Sequence, residues 1–271
     1  MRHVAILTDF GTSDSYNGIM EGVIRGICPQ AKVSYIAPNV TSWSVVSGAY
    51  LLLSAFKYFP KNTVFLVVVD PGVGTKRRAV VIRTQNYFFV GPDNGVLYPA
   101  AKSDGIRKVY EILNKKVMLS DEISYTFHGR DVFSPVAALL ACKMSPETVG
   151  PELNPSELTT LELEIYSVEN NCVKLKAIHV DKYGNVALSL RPKNLIPGRE
   201  VKIRVGKRFF DVKTVRTFGD VNPGERLLYV NSFGFMELAI NQGNAAYELG
   251  ISTGDEVCVE PCSQEDFSLF I

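Results

Sequence analysis

Seven consecutive residues, Thr63-Val64-Phe65-Leu66-Val67-Val68-Val69, carry no charge and are mostly β-branched. A strand with one wet face alternates polar and apolar residues, so an unbroken apolar run predicts a strand covered on both faces, as in a parallel sheet flanked by helices. The run ends at Asp70-Pro71-Gly72, which puts a carboxylate where the strand stops. The neighbouring segments alternate strand and helix signals. Val4 to Thr8 predicts a buried strand closed by Asp9-Phe10-Gly11. Asn17 to Cys28 has helical spacing, with Ile19, Val23, Ile24 and Ile27 on one face and Pro29 as the stop. Lys32 to Ile36 predicts a second strand, and Ser44 to Phe59 an apolar helix closed by Pro60. Ala79 to Arg83 and Tyr87 to Val90 predict shorter strands. Asp131 to Met144 predicts another helix, with Pro135 in the first turn, where proline is tolerated.

The pattern then changes. Ser145 to Leu158, SPETVGPELNPSEL, has the composition of a linker. Beyond it come short β-branched segments at Val173–Val180, Val186–Leu190, Val201–Val205, Phe209–Val215 and Arg226–Val230. Turn signals at Tyr183-Gly184-Asn185, Pro197-Gly198 and Asn222-Pro223-Gly224 separate them, and one short helix near Asn244 to Leu249 ends at Gly250. The fold class expected is α/β. An N-terminal domain over 1–150 holds a mixed, mainly parallel sheet with flanking helices. A linker covers 151–160, and a smaller all-β barrel or sandwich covers 161–271.

Charge narrows the partners. The chain has 29 basic and 28 acidic residues without a block of one sign, so it has no general attraction for phosphate backbones or anionic membranes. Neither nucleic acid nor membrane is expected as a partner, and no run approaches the roughly 20 apolar residues of a membrane span. The N-terminal MRHVAILTDF has too short an apolar run for a signal peptide, so the cytoplasm is the default expectation. Cys28, Cys142, Cys172, Cys258 and Cys262 are odd in number and contain no C-x-x-C pair. That argues against a disulfide framework or structural zinc and for buried, idle thiols.

Ligands of α/β sheets bind at the carboxyl ends of strands, and three polar motifs are expected there. Thr8-Asp9-Phe10-Gly11, with Asp14 five residues past Asp9, offers a carboxylate able to accept both hydroxyls of a ribose, or else a turn or capping aspartate. Asp70-Pro71-Gly72-Val73-Gly74-Thr75-Lys76-Arg77-Arg78 matches neither the Walker pattern nor G-x-G-x-x-G, and no helix signal follows it. It is read as a strand-end carboxylate with arginines held close, which keeps the carboxylate ionised, or as a structural ion pair. Thr126-Phe127-His128-Gly129-Arg130-Asp131 precedes a helix. Of the three histidines, only His128 lies in a glycine-flanked loop with charged neighbours; His3 lies beside the terminus and His179 within a β segment. A histidine in such a loop serves as general base or water-orienter, or simply caps the loop. Two readings stay open on these residues. Asp9, Asp70, Asp93 and Asp131 with His128 would bind metal in a phosphoesterase. Alternatively, Asp70, Arg77 and His128 form a metal-free set that handles water.

The blocks TDFG, VVVDPGVGTKRR, GPDNG, TFHGRDVF, DKYGN, NSFG and LAINQGNAA follow in order along nearly the whole chain. Together they resemble the signature blocks of the S-adenosylmethionine hydroxide adenosyltransferases, relatives of the fluorinating and chlorinating enzymes. The resemblance implies an α/β domain followed by a β domain, and hydrolysis of S-adenosylmethionine to adenosine and methionine without metal or other cofactor. It also implies a homotrimer with the substrate between one subunit's N-terminal domain and its neighbour's C-terminal domain. The catalytic set it implies is Asp70, Arg77 and His128. Asp9 would hold the ribose hydroxyls, and Asp14, Asp181 and Ser232 would lie near the methionine part. Asn185, Glu237 and the backbone around Ile240 would meet the adenosine. Trp43 and Phe127 would be apolar walls near the ribose and reactive carbon. The halogenating relatives carry tyrosine where this chain has Asp70, and a carboxylate there repels halide. This chain also lacks a long insertion between the blocks of its first domain. A nucleoside-binding protein without turnover is the remaining alternative of a different class.

Overall fold

The computed structural model describes residues 2–261. Contacts divide the chain into one compact unit up to Leu161 and a second from Glu162. In the first unit the strands are β1 (His3–Thr8), β2 (Lys32–Ala37), β3 (Val64–Val68), β4 (Ala79–Thr84), β5 (Phe88–Pro92), β6 (Ile106–Glu111) and β7 (Glu152–Leu153). Four helices accompany them: α1 (Tyr16–Ile27), α2 (Val45–Ala55), α3 (Tyr98–Asp104) and α4 (Ser134–Ala141). The sheet order is β2-β1-β3-β5-β4-β6-β7. The β2, β1, β3 and β5 neighbours pair in parallel, and β5, β4, β6 and β7 pair antiparallel.

All five residues of β3 are buried, and successive side chains enter different cores. Val64, Leu66 and Val68 pack with Met20 and Ile24 of α1 and Val136 and Leu140 of α4. Phe65, Val67 and the following Val69 pack with Leu52 of α2 and Ala100 and Ala101 of α3. This is the two-faced burial that the apolar run predicts, and each such side chain contributes about 1.5–3 kcal/mol of burial energy. Helices on both faces leave only the strand ends open to a ligand.

The Pro-rich stretch around residues 151–160 is folded against this unit. Leu153 pairs with Val109, the Arg78 guanidinium donates to the Glu157 carbonyl, and the Thr159 amide donates to Asp93. A short edge strand joined by capped turns has the same Pro, Ser and Glu content as a linker, and composition does not separate the two.

Among the described residues the second unit is all-β apart from one α-helix and a short 3-10 turn, Phe218–Asp220. Its strands are β8 (Tyr166–Glu169), β9 (Cys172–Val180), β10 (Val186–Leu188), β11 (Glu200–Val205), β12 (Arg208–Thr214), β13 (Arg226–Val230), β14 (Met236–Ile240) and β15 (Glu256–Pro261), with helix α5 (Ala245–Leu249). They run β10-β14-β13-β12-β11-β15-β9, and β9 pairs back to β10. The result is a closed seven-stranded barrel, with β8 added outside on β9. Between barrel and sandwich, closure decides for the barrel, which removes all edges but that of β8.

Four of the five cysteines are not idle thiols but form two disulfides. Cys28, at the end of α1, is bonded to Cys142, at the end of α4, across 114 residues with Cα atoms 6.0 Å apart. Cys172 and Cys258 join β9 to β15 across 86 residues. Pairs so far apart are created by the fold, and no spacing rule reports them. Cys262, which makes the count odd, lies outside the described residues. No helix among the described residues is long and apolar enough to cross a membrane.

Candidate active site

β1 and β3 are parallel neighbours in a register that pairs Thr8 with Val68. The chain leaving each strand therefore delivers Asp9 and Asp70 to the same end of the sheet. A turn after β3 sends the Val73 amide back to the Asp70 carbonyl and the Thr75 amide to the Gly72 carbonyl. This reversal returns Arg77 to Asp70. The Arg77 Nε–H lies 2.9 Å from both Asp70 oxygens, and an Nη–H donates to Oδ2 as well. Both side chains are nearly buried, with 10% of the arginine and 4% of the aspartate exposed. Gly74 makes the close turn possible. Its φ is +75°, and a Cβ there would lie 2.2 Å from the Tyr125 carbonyl oxygen.

That contact joins the Asp70 turn to the loop that carries His128. His128 stands just before a π-helical turn, Gly129–Phe133, which leads into α4. Such turns are rare and cluster at functional sites. His128 Nδ1 is 2.9 Å from an Arg77 Nη. Arginine can only donate, so Nδ1 accepts, and the neutral ring carries its proton on Nε2. Burial, then the Arg77 charge, pushes the imidazole below its ordinary pKa; Asp70, Asp131 and a bond to the Ser124 backbone oppose this. The ring is therefore neutral near pH 7.

Asp9, Asp70, His128 and Phe127 line one cavity of about 410 Å3, with Phe10, Tyr16, Trp43, Val68, Val73 and Thr126 among the rest of its wall. A second cavity, about 630 Å3, is lined by Arg77 and His128 with Tyr125 and Val132. The Asp70–Arg77–His128 set thus stands between the two. Asp9 Oδ2 accepts the Trp43 amide at 2.7 Å. Burial raises the Asp9 pKa and the Asp70 charge adds to this, while the Trp43 and Asp9 amides lower it. Trp43 is 75% exposed at the cavity, with a left-handed backbone at φ +61°. Asp14, on the same loop as Asp9, is exposed and lies outside the cavity lining.

Sequence reasoning missed the residue that frames this end of the sheet. Buried Asn17 accepts from the Thr8 hydroxyl at 2.7 Å and donates to the carbonyls of Gly11 and Pro38, at 2.7 and 3.2 Å. It ties the exits of β1 and β2 to the start of α1. The available signal was an asparagine in the first turn of an amphipathic helix. Phe10 and Tyr16 were also missed, because aromatic residues in a loop carry no periodicity.

Three of the four carboxylates considered for a metal instead meet arginines, Asp70 with Arg77, Asp93 with Arg78 and Asp131 with Arg130, while Asp9 accepts the Trp43 amide. A carboxylate neutralised by its own guanidinium is a poor cation ligand. Among the described residues no group of three or more His, Cys, Asp and Glu side chains is arranged to hold a metal ion.

The second unit gathers its own polar group. Asp181 accepts the amides of Tyr183 and Asn185 and the Asn185 side chain, each at 2.9 Å. Glu237 on β14 accepts from the Tyr229 hydroxyl and from Asn231 Nδ2. Burial raises its pKa, the Asp181 charge adds to this, and the two donors oppose it. Ser232 is exposed in the turn that follows Asn231. The Ile240 side chain is buried in the barrel core, which leaves only backbone to offer a ligand.

Two family models match the chain: the SAM hydroxide adenosyltransferase N-terminal domain over residues 4–150 and the C-terminal domain over 175–258. The chain belongs to the SAM hydroxide adenosyltransferase family. Among relatives of this adenosyltransferase-family chain is the (R)-S-adenosyl-L-methionine hydrolase of Salinispora tropica. It is 37% identical over 94% of this chain and 97% of its own length. A hydrolase of the same name from Thermus thermophilus is 33% identical, and a fluorinase from an Actinoplanes species is 26% identical over 94% of this chain. A solved structure of a conserved protein from Thermotoga maritima superimposes with a TM-score of 0.85. It is 38% identical and covers 94% of this chain and 99% of its own.

Proposed function

We propose that the protein hydrolyses S-adenosyl-L-methionine to adenosine and L-methionine by attack of water on the ribose 5′ carbon. The observation that carries this reading is the half-buried Asp70–Arg77–His128 set beside a cavity that also presents Asp9. The relatives named for this hydrolysis support it.

The sulfonium is already a good leaving group, so no acid or metal is required to expel it. The demand falls on the nucleophile, which must be held in line behind the carbon and relieved of a proton. His128 has its Nδ1 lone pair occupied by Arg77 and its remaining N–H turned to the Ser124 backbone, so the ring acts by holding Arg77, and through it Asp70, in place beside the water. Asp70 takes the proton on Oδ1, which accepts one Arg77 N–H where Oδ2 accepts two and so keeps a lone pair. As the oxygen–carbon bond forms, the carbon–sulfur pair returns to sulfur, and methionine leaves as a neutral thioether. Arg77 fixes Asp70 and stabilises developing hydroxide character. Asp9 receives the ribose hydroxyls, with Trp43 and Phe127 as walls.

A homotrimer completes the site in this reading. Asp14, Asp181 and Ser232 meet the methionine part, and Asn185, Glu237 and the Ile240 backbone meet the adenosine, with the barrel residues supplied by a neighbouring subunit. The cytoplasm is the location expected from the sequence, and the two disulfides stand against it, because the cytosol keeps thiols reduced. Halide use is disfavoured by the Asp70 carboxylate on the cavity wall. Binding without turnover is the alternative.

One experiment tests the reaction. In 18O-water, S-adenosylmethionine is expected to yield adenosine labelled at the 5′ hydroxyl and unlabelled methionine. Unlabelled adenosine, or methylthioadenosine as product, would overturn the reading.

A further inference from the structure

Three aromatic rings converge on the cavity, and water activation uses none of them. Phe10 and Tyr16 come from the loop and helix start after β1, and Phe127 precedes His128; all three line the cavity. Their centroids are 5.4 Å apart for Phe10–Tyr16, 5.8 Å for Phe10–Phe127 and 5.1 Å for Tyr16–Phe127, the last two edge to face. Gly129 lets them close up: a Cβ there would lie 3.2 Å from Phe127 and 3.6 Å from Phe10. Tyr16 is 45% exposed and Phe10 is half-buried, while Phe127 is buried at the edge of the core. One of them already attracts a cation, with the Arg130 guanidinium 5.4 Å from the centre of Phe127.

We propose that Phe10, Tyr16 and Phe127 form the subsite for the substrate's sulfonium and select the charged substrate over neutral thioethers of the same shape. The inference rests on S-adenosylmethionine being the substrate. A sulfonium has no N–H to donate, and its charge is spread over the attached carbons, so oxygen acceptors engage it only through weak C–H···O contacts. What remains is a formal anion or the negative face of a ring. The anions of this cavity are committed: Asp70 to Arg77, and one oxygen of Asp9 to the Trp43 amide. Phe127 already faces the Arg130 guanidinium, so Phe10 and Tyr16 are the rings that offer the sulfonium a face and Phe127 closes the cluster behind them.

The chemistry gives this subsite a signature. Positive charge leaves sulfur as the carbon–sulfur bond breaks. Cation–π attraction is therefore stronger in the bound substrate than in the transition state, and it fades in the products. Removing a ring should weaken binding of the charged substrate and place the loss on KM rather than kcat. The faded attraction also favours release of methionine.

The test compares S-adenosylmethionine with the neutral S-adenosylhomocysteine by calorimetry, on wild type, Phe10→Leu and Tyr16→Leu, with melting temperatures recorded. Each variant is expected to weaken S-adenosylmethionine roughly tenfold and the neutral thioether less than about twofold. Tyr16→Phe keeps the ring face and is expected to restore the discrimination. Equal losses for both ligands, a loss carried by kcat, or a Tyr16→Phe that behaves like Tyr16→Leu would each overturn the inference. A wild type that turns over S-adenosylmethionine while the variants show equal losses sinks the aromatic subsite alone. A wild type that releases no adenosine sinks the functional reading beneath it.

Discussion

His128 and Asp70 are coupled through one guanidinium, and each side of that coupling can be measured. Burial and Arg77 depress the His128 pKa from its ordinary 6.5, so the folded state prefers the neutral ring. The stabilisation from this preference is present above pH 6.5 and is lost as pH falls through the depressed value. Asp9 has the opposite sign. Its raised pKa means that its contribution is present at low pH and lost as pH rises through that value. Protonating His128 at Nδ1 would also break its bond to Arg77. The acid limb of kcat is therefore expected below pH 6.5, and Arg77→Gln should move the His128 titration upward. Histidine proton NMR, with His128→Asn to assign the resonance, checks this. A wild-type pKa above 6.5 would contradict the neutral ring. Asp70→Asn keeps the shape and removes the charge. It is expected to lower kcat by roughly 100-fold or more, with substrate affinity little changed. Near-normal turnover together with a lowered melting temperature would instead make Asp70 a structural ion pair.

Asn17 acts between elements, joining β1, β2 and α1 beneath the Asp9 loop. Asn17→Ala leaves the Thr8 hydroxyl and the Gly11 and Pro38 carbonyls short of partners. The expected cost is about 1–3 kcal/mol, seen as a melting temperature lower by about 2–10 °C. Substrate KM should rise as the Asp9 loop loosens. An unchanged melting temperature would show that water replaces the amide. What was legible in the sequence follows the same division. The strand Thr63–Val69 could be read because burial on both faces leaves its mark on every residue, and Asp70 and His128 because polar residues closing such elements stand out. Asn17 could not be assigned, since its three partners come from segments that only the fold brings together. The Gly129–Phe133 turn was absorbed into a helix predicted from Asp131, because a π turn and an α turn share residue preferences. The barrel strands from Met236 and Glu256 carry little strand signal in the sequence, as each is short and contains at least one acidic residue.

Over the whole molecule, covalent links and assembly set the remaining expectations. Each disulfide closes a long loop within one unit, 114 residues in the first and 86 in the second. Constraint of the unfolded chain over loops of that length is worth about 4–5 kcal/mol in the entropic account. Reductant should therefore lower the melting temperature, and in denaturant one thiol should titrate before reduction and five after. Five before reduction would return the cysteines to idle thiols. Assembly permits a sharper test, because Asp70 and Glu237 belong to different units. In the proposed trimer each site takes Asp70 from one subunit and Glu237 from its neighbour. Asp70→Asn and Glu237→Gln are each expected to be weak alone. When the two are unfolded together and refolded in equal amounts, random assembly gives each site an independent draw at its two halves. Both halves are then wild type in about a quarter of sites, so activity should recover to about a quarter of the wild-type value. Mixing without unfolding should recover less, at the rate at which subunits exchange. A site built within one chain always contains one altered residue and would recover nothing. Light scattering on the same refolded sample should give three chains per particle, and full activity in a particle of one chain would remove the shared site.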